Sequence, residues 1–342
     1  MRKKILACTL FSLGFPLNVL AEAPKVAVDI APLHSLVGQV MEGVGQPELI
    51  IPPEASPHYY SLRPSQADAL ANSKIVFWIG EPLTPWLDKA MNNVASSAQK
   101  VSMLDLESTT THEFREGATF EEHVHHEKDE HQDDHDDHNP GLIDQFLSLF
   151  SSHDQEEDHQ DGHNEHHDDH KGVDPHAWLD PENAKSWINE IKKALSAQDP
   201  KNAMTYDANA QKAIAQLDRL IVQTRSSVDN LGELKFIVFH DAYQYFERRF
   251  GVEAVGSISL GDAEDPSPAR ITEIRDTVKK LGVNCVFAEP QYDPGLVENV
   301  FEGSSIIAIG VMDPLGASIK TGNQHYPELI KGMVTSLAEC NK

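Results

Sequence analysis

Apolar and polar positions change rhythm several times along the 342-residue chain. Val26-Ala27-Val28 is a short apolar strand, and residues 30–41 follow with helical character. Leu49-Ile50-Ile51 reads as a second strand, stopped by Pro52-Pro53. Residues 64–71 predict a short helix with Ser65 available as its cap. Ile75-Val76-Phe77-Trp78-Ile79 is a strand of the buried type, and residues 85–93 return to helix. Strand alternating with helix is the rhythm of an α/β domain with a largely parallel sheet. It breaks near Thr109, where a low-complexity stretch begins and lasts to about Gly172.

Asp180-Pro181-Glu182 then opens a helix, with Asp180 as cap and Pro181 at its first position. A second helical stretch begins at Asp199-Pro200. Ile214, Leu217, Leu220 and Ile221 keep helical spacing within it, and no Pro or Gly interrupts 204–228. From Pro200 to Asp229 such a helix would be roughly 45 Å long. Beyond Gly232 the first rhythm resumes. Strands are expected at Phe236-Ile237-Val238-Phe239, 255–258, Cys285-Val286-Phe287 and 306–309, and helices at 243–250, 271–281 and 326–338. The fold class expected is α/β, with two similar lobes of mostly parallel sheet joined by one long rigid helix. The boundaries are 22–198 for the N-terminal lobe, 199–230 for the linking helix and 231–342 for the C-terminal lobe.

The start of the chain changes the picture of where this protein works. Arg2, Lys3 and Lys4 precede an apolar run that closes with Val19-Leu20-Ala21, the order of a secretory signal peptide over residues 1–21. The run is too short to span a bilayer comfortably, and Pro16 breaks it. Lipid attachment at Cys8 fits poorly, because Cys8 sits near the start of the run. Cys285 and Cys340 then form an even pair in an exported chain, which predicts a disulfide. The alternative is two unrelated thiols.

Charge is unevenly spread. Residues 112–171 hold 20 Asp/Glu against 3 Lys/Arg and so carry −17 of the total −26. The acidity excludes nucleic acid as a partner. The same stretch holds thirteen of the 18 histidines. Weak, exchangeable metal sites are expected at His123, His125, His126, His131, His135, His138, His159, His163, His166, His167 and His170, since imidazoles here alternate with carboxylates. A solvated acidic spacer is the competing reading. The segment 112–172 is too polar to bury a core, although residues 142–150 could form one short amphipathic helix.

Three other histidines stand beside predicted element ends. His58 lies in a loop with Pro52, Pro53, Ser56 and Pro57, after the second strand. His176 sits just before a helix, and His240 directly follows Phe239. In open α/β sheets ligands bind at the carboxyl ends of the strands, and three converging imidazoles suit Zn²⁺ better than calcium, magnesium or manganese. Taken singly, each is equally a half-buried histidine with ordinary hydrogen bonds, and no short metal-binding spacing links them. His34 reads as a capping or surface residue and His325 as structural. Trp178 and Tyr243 would pack around the site, and Glu289 could orient an imidazole.

Longer motifs surround these positions. Ser56-Pro57-His58-Tyr59-Tyr60-Ser61-Leu62-Arg63-Pro64-Ser65, Asp174-Pro175-His176-Ala177-Trp178-Leu179-Asp180-Pro181 and Phe239-His240-Asp241-Ala242-Tyr243-Gln244-Tyr245-Phe246 resemble the three metal motifs of the cluster A-I (cluster 9) ABC-transporter binding proteins. Phe287-Ala288-Glu289-Pro290-Gln291 and Met312-Asp313-Pro314-Leu315-Gly316 extend the likeness over essentially the whole mature chain. Within that family the likeness is greatest to the high-affinity zinc-uptake members.

The resemblance implies the periplasmic metal-binding-protein fold, with metal between two lobes bridged by a rigid helix. It implies that His58, His176 and His240 are the metal ligands and that the cargo is Zn²⁺, since manganese-binding relatives typically place Glu at the third position. Some zinc relatives place a Glu just before the first histidine. Here that residue is Pro57, so water or Asp313 would complete the site. The partners implied are an inner-membrane ABC permease and its ATPase, served by a periplasmic monomer that is not an enzyme. Competing expectations are a secreted zinc hydrolase and a manganese carrier or adhesin of the same family. The hydrolase lacks a nucleophile elbow and a His-Glu pair at helical spacing.

Overall fold

Strands made of unbroken apolar residues belong in sheets covered on both faces, and such sheets are parallel. That is what the chain builds, twice. β1 (Val26–Val28), β2 (Glu48–Leu49), β3 (Ile75–Trp78) and β4 (Gln99–Ser102) form one parallel sheet in the order β2-β1-β3-β4. β5 (Phe236–Val238), β6 (Gly256–Ser257), β7 (Cys285–Ala288) and β8 (Ala308–Val311) form a second in the order β6-β5-β7-β8. In each sheet the chain goes first to one edge and then crosses to the other side. Strand order therefore reverses between β1 and β3, and again between β5 and β7, which makes those two tips the switch points where ligands bind. This computed structural model describes residues 23–115, 120, 172–259, 267–283, 285–292, 294–301 and 308–340.

Helices connect the strands: α1 (Ala31–Val40), α2 (Pro64–Asn72), α3 (Pro85–Val94), α4 (Pro181–Gln198), α5 (Ala203–Asp229), α6 (Gln244–Phe250), α7 (Pro268–Leu281), α8 (Pro294–Phe301) and α9 (His325–Cys340). Proline stands in the first turn of α1, α2, α3, α4 and α7, where its missing N–H costs nothing. Asp180 caps α4 as expected, taking the N–H of Glu182 at 2.9 Å. Ser65 does not cap α2. Gln66 reaches back to the N–H of Arg63 at 2.7 Å instead.

The long helix begins later than expected. Pro200–Asn202 is a 3₁₀ turn, and α5 follows it for 27 residues. Small residues on its buried face, Ala210 and Ala213, let it lie close against α4, and it also packs on α1 and α9. Two elements were missed. β4 has a single buried apolar residue, Val101, and α8 is short and opens with Pro-Gly.

Both sheets fall in one compact unit, and one apolar core spans them. Period-two alternation explains how β5 serves two layers. Phe236 and Val238 face that shared core, while Ile237 and Phe239 face a smaller cluster with Ile258 and Val286. The expected disulfide is present: Cys285 of β7 is bonded to Cys340 of α9, with Cα atoms 5.6 Å apart. No helix among the described residues is long and apolar enough to cross a membrane. The signal peptide over 1–21, the eleven insert histidines from His123 to His170 and the segment 142–150 lie outside the described residues.

Candidate metal centre

Three loops deliver three imidazoles to one point. His58 sits in the proline-rich connection between β2 and α2. The loop is braced where the Trp86 indole N–H donates to Pro57 O at 2.8 Å. His176 precedes the 3₁₀ turn Ala177–Leu179, and the Trp178 indole N–H fixes that turn to Pro314 O at 2.8 Å. His240 lies just past β5, at the switch point of the second sheet. The ring centroids are 5.7 Å apart for His58 and His176, 6.0 Å for His58 and His240, and 5.1 Å for His176 and His240. One nitrogen from each falls within 4.8 Å of the others, with His176 and His240 buried and His58 half-buried.

Two of the rings are oriented by carboxylates. Asp174 accepts both the backbone N–H of His176 at 3.0 Å and its ring Nδ1–H at 2.8 Å, through Oδ1. Glu289, directly after β7, accepts the Nδ1–H of His240 at 2.8 Å through Oε1. Both carboxylates are buried. With each Nδ1 turned to its carboxylate, the two Nε2 atoms face one another 3.3 Å apart. Two imidazole nitrogens this close can coordinate one cation between them. Burial and the other two imidazoles hold the His58 pKa well below the usual histidine value, so this ring is neutral and able to bind metal. The cavity lined by Pro57, the three histidines, Trp178 and Glu289 is about 10 Å³, the space of one water or one small ion.

Asp313, the possible fourth ligand, is bonded within its own turn in this structure. Its Oδ1 accepts the backbone N–H groups of Leu315 at 3.0 Å and Gly316 at 2.9 Å, and the Gln291 amide at 2.9 Å; its Oδ2 accepts the Ala317 N–H. It holds a turn and lies outside the three-histidine group. Physically, an Asp-Pro-x-Gly turn offers backbone donors close by, and they take up the carboxylate. Glu289 does what was expected of it. Tyr243 sits beside the site, its hydroxyl donating to Met312 O at 3.0 Å. Burial, then the nearby Glu289 charge, raises its pKa well above the ordinary tyrosine value.

His34 is neither cap nor surface: it lies within α1, and its Nε2 bonds Pro47 O at 3.0 Å. His325 is structural, fully buried with Nε2 on Leu315 O at 2.7 Å. The sequence reading missed Asp174, although an acid two residues before a candidate ligand is a legible signal. It also missed Tyr292, which stacks on Phe239 with centroids 4.5 Å apart and meets the edge of His240.

With this geometry in place, the comparisons with known proteins fall into line. Residues 26–340 match the family described as zinc-uptake complex component A, periplasmic. The chain is 41% identical over 331 residues to the high-affinity zinc uptake system protein ZnuA of Brucella abortus (strain 2308), covering 96% of each. It is 38% identical over 336 residues to the protein of the same name in Paracoccus denitrificans (strain Pd 1222), covering 98% of this chain and 97% of that one. A crystal structure of ZnuA shares the fold at a TM-score of 0.68 and 22% identity, over 94% of this chain and all of that one.

Proposed function

The chain belongs to the periplasmic zinc-uptake complex component A family, and from that premise we infer that it captures Zn²⁺ in the periplasm and delivers it to an ABC importer. It is the binding component of a transporter and not an enzyme. Its partners are the membrane permease and the ATPase that drives it. Residues 1–21 direct export, a reading supported by the positive head and apolar run.

His58, His176 and His240 hold the ion. The observation that carries this is the pair of Nε2 atoms 3.3 Å apart, each on a ring whose other nitrogen donates to a buried carboxylate. Nitrogen donors in this number favour zinc. Pro57 offers no side-chain donor and Asp313 is taken up by its turn, so the fourth ligand comes from solvent. The length of α5 and its packing along α4 restrict hinge motion, so capture and release proceed through small loop shifts. The histidine-rich stretch collects zinc or senses its level, as its composition supports.

Calorimetry with chelator competition tests the assignment. The full chain should bind one zinc far more tightly than the rest, and manganese should compete poorly. His240→Ala should weaken that one site by more than the roughly 100-fold that loss of an outer partner alone can cause. Unchanged affinity in that variant would sink the reading.

A further inference from the structure

Asp174 orients His176, and something must hold Asp174. Its four polar points of attachment are all engaged, and they lead to one place. Oδ1 serves His176. Oδ2 accepts from the Gln244 amide at 3.1 Å, and the backbone carbonyl accepts from the Tyr245 hydroxyl at 2.7 Å. The backbone N–H donates to His112 O at 2.8 Å. Two consecutive residues of α6 therefore grip Asp174 at its carboxylate and at its backbone. α6 begins four residues after His240, across a turn closed by Ala242 N–H to His240 O at 2.9 Å.

Gln244 does more than grip. The same amide nitrogen donates to Glu113 O at 3.0 Å, and the amide oxygen accepts from Arg248 at 3.0 Å. Glu113 pairs with Val173 in an antiparallel bridge, and Phe114 N–H bonds Gly172 O at 3.2 Å. This short ladder joins the chain where it leaves for the histidine-rich stretch and where it returns. Asp174 is its next rung. Arg115, one residue further, bonds Asp241 beside His240 and reaches Glu247 on α6 at 2.6 Å. Gln244 is buried, with both kinds of amide atom in use, so its orientation is fixed.

We propose that Gln244 is a positioning residue of the metal centre, coupling the carboxylate that orients His176 to the helix that follows His240, and coupling both to the ladder at the base of the histidine-rich stretch. This rests on the three-histidine zinc site proposed above. An amide is required at this position. A carboxylate there would set a second negative charge against Asp174 Oδ2 and lose the donor to Glu113 O.

The test uses the full chain at substoichiometric metal, so that only the tight site is read. Gln244→Leu should weaken Zn²⁺ binding by about 10–100-fold and shift the visible absorption bands of the Co²⁺-loaded protein. Tyr245→Phe, which removes only the hydroxyl, should move both in the same direction and serves if the first variant does not fold. In the native chain Zn²⁺ should slow amide exchange at Phe114 and Asp174, and Gln244→Leu should abolish that slowing. Asn209→Ala is the control: it cuts bonds to Val40 O and Glu42 O, between α5 and α1, and should leave affinity, spectrum and ladder exchange as they were. The inference is overturned if Gln244→Leu binds within twofold of native with an unshifted Co²⁺ spectrum. It is also overturned if ladder exchange ignores zinc, or if the control does the same as Gln244→Leu. His240→Ala separates the two readings: if it still binds tightly, the site itself is wrong, and if it alone loses zinc, only the role of Gln244 is wrong.

Discussion

At the carboxyl end of the first sheet, Asp29 follows β1 and accepts the backbone N–H groups of Ile30 and Ile79 at 2.7 Å each, tying the tip of β1 to the tip of β3. At the switch point of the second sheet the carboxylate sits on the other strand: Glu289 follows β7, the counterpart of β3, and accepts the ring N–H of His240, which follows β5. Both sheets have the same strand order, and both close their switch point with one buried carboxylate. In the first the carboxylate is used up on backbone donors, and the site histidine of that half, His58, comes from a loop instead. In the second the carboxylate is turned onto a side chain and leaves the far nitrogen of that ring facing His176. A carboxylate at the switch point thus ties backbone in one half and orients a side chain in the other.

The comparison can be broken at four points. The largest effect should come from the covalent staple that only the second sheet has. Cys285→Ser removes the bridge to Cys340, which by the chain-entropy model contributes about 4 kcal/mol. Hydrogen exchange should quicken in β5–β8 while β1–β4 change little, and equal quickening in both sheets would contradict it. Next, Asp29→Ala leaves two buried N–H groups without an acceptor, at about 1–3 kcal/mol each. The denaturation midpoint should fall by the equivalent of a few kcal/mol, with zinc affinity within a fewfold of native. Glu289→Gln should show the opposite division. Zinc affinity should drop by about 10–100-fold, while the melting temperature of the metal-free protein stays put. If each variant altered both quantities together, the two carboxylates would not have separate roles.

The smallest effect is a pH dependence. Burial raises the Asp29 pKa from 3.8 to about 7, against the pull of its backbone donors. The folded state therefore binds more protons than the unfolded state between those values. Its stability contribution is present at low pH and is lost as pH rises through about 7. Going from pH 7 to pH 6, the native chain should gain about 1 kcal/mol relative to Asp29→Asn. Parallel denaturation midpoints for the two proteins across that interval would rule the shift out.

Much of the fold was legible because its strands are blocks of apolar residues with few polar interruptions. Phe236-Ile237-Val238 and Ile75-Val76-Phe77-Trp78 announce themselves, and Asp180-Pro181 marks the start of α4 unambiguously. β4 was not legible, since Gln99-Lys100-Val101-Ser102 lies at a sheet edge and buries a single apolar side chain. The site divides along the same line. Each histidine could be placed at the end of an element, but what brings them together is a set of contacts across more than sixty positions, as between His176 and His240. Asp313 is the converse case: its motif position suggests a ligand, and the donors of its own turn bond its carboxylate.

The bond between Cys285 and Cys340 also has a bearing on how the protein is made. The two sulfurs lie 55 residues apart, with α8, β8 and α9 between them. As the chain is made, Cys285 comes first, and Cys340 is not available to it until the whole of that span has followed. The second sheet is therefore sealed late, by the last helix of the chain, and a chain cut short inside this span leaves Cys285 without its bridge.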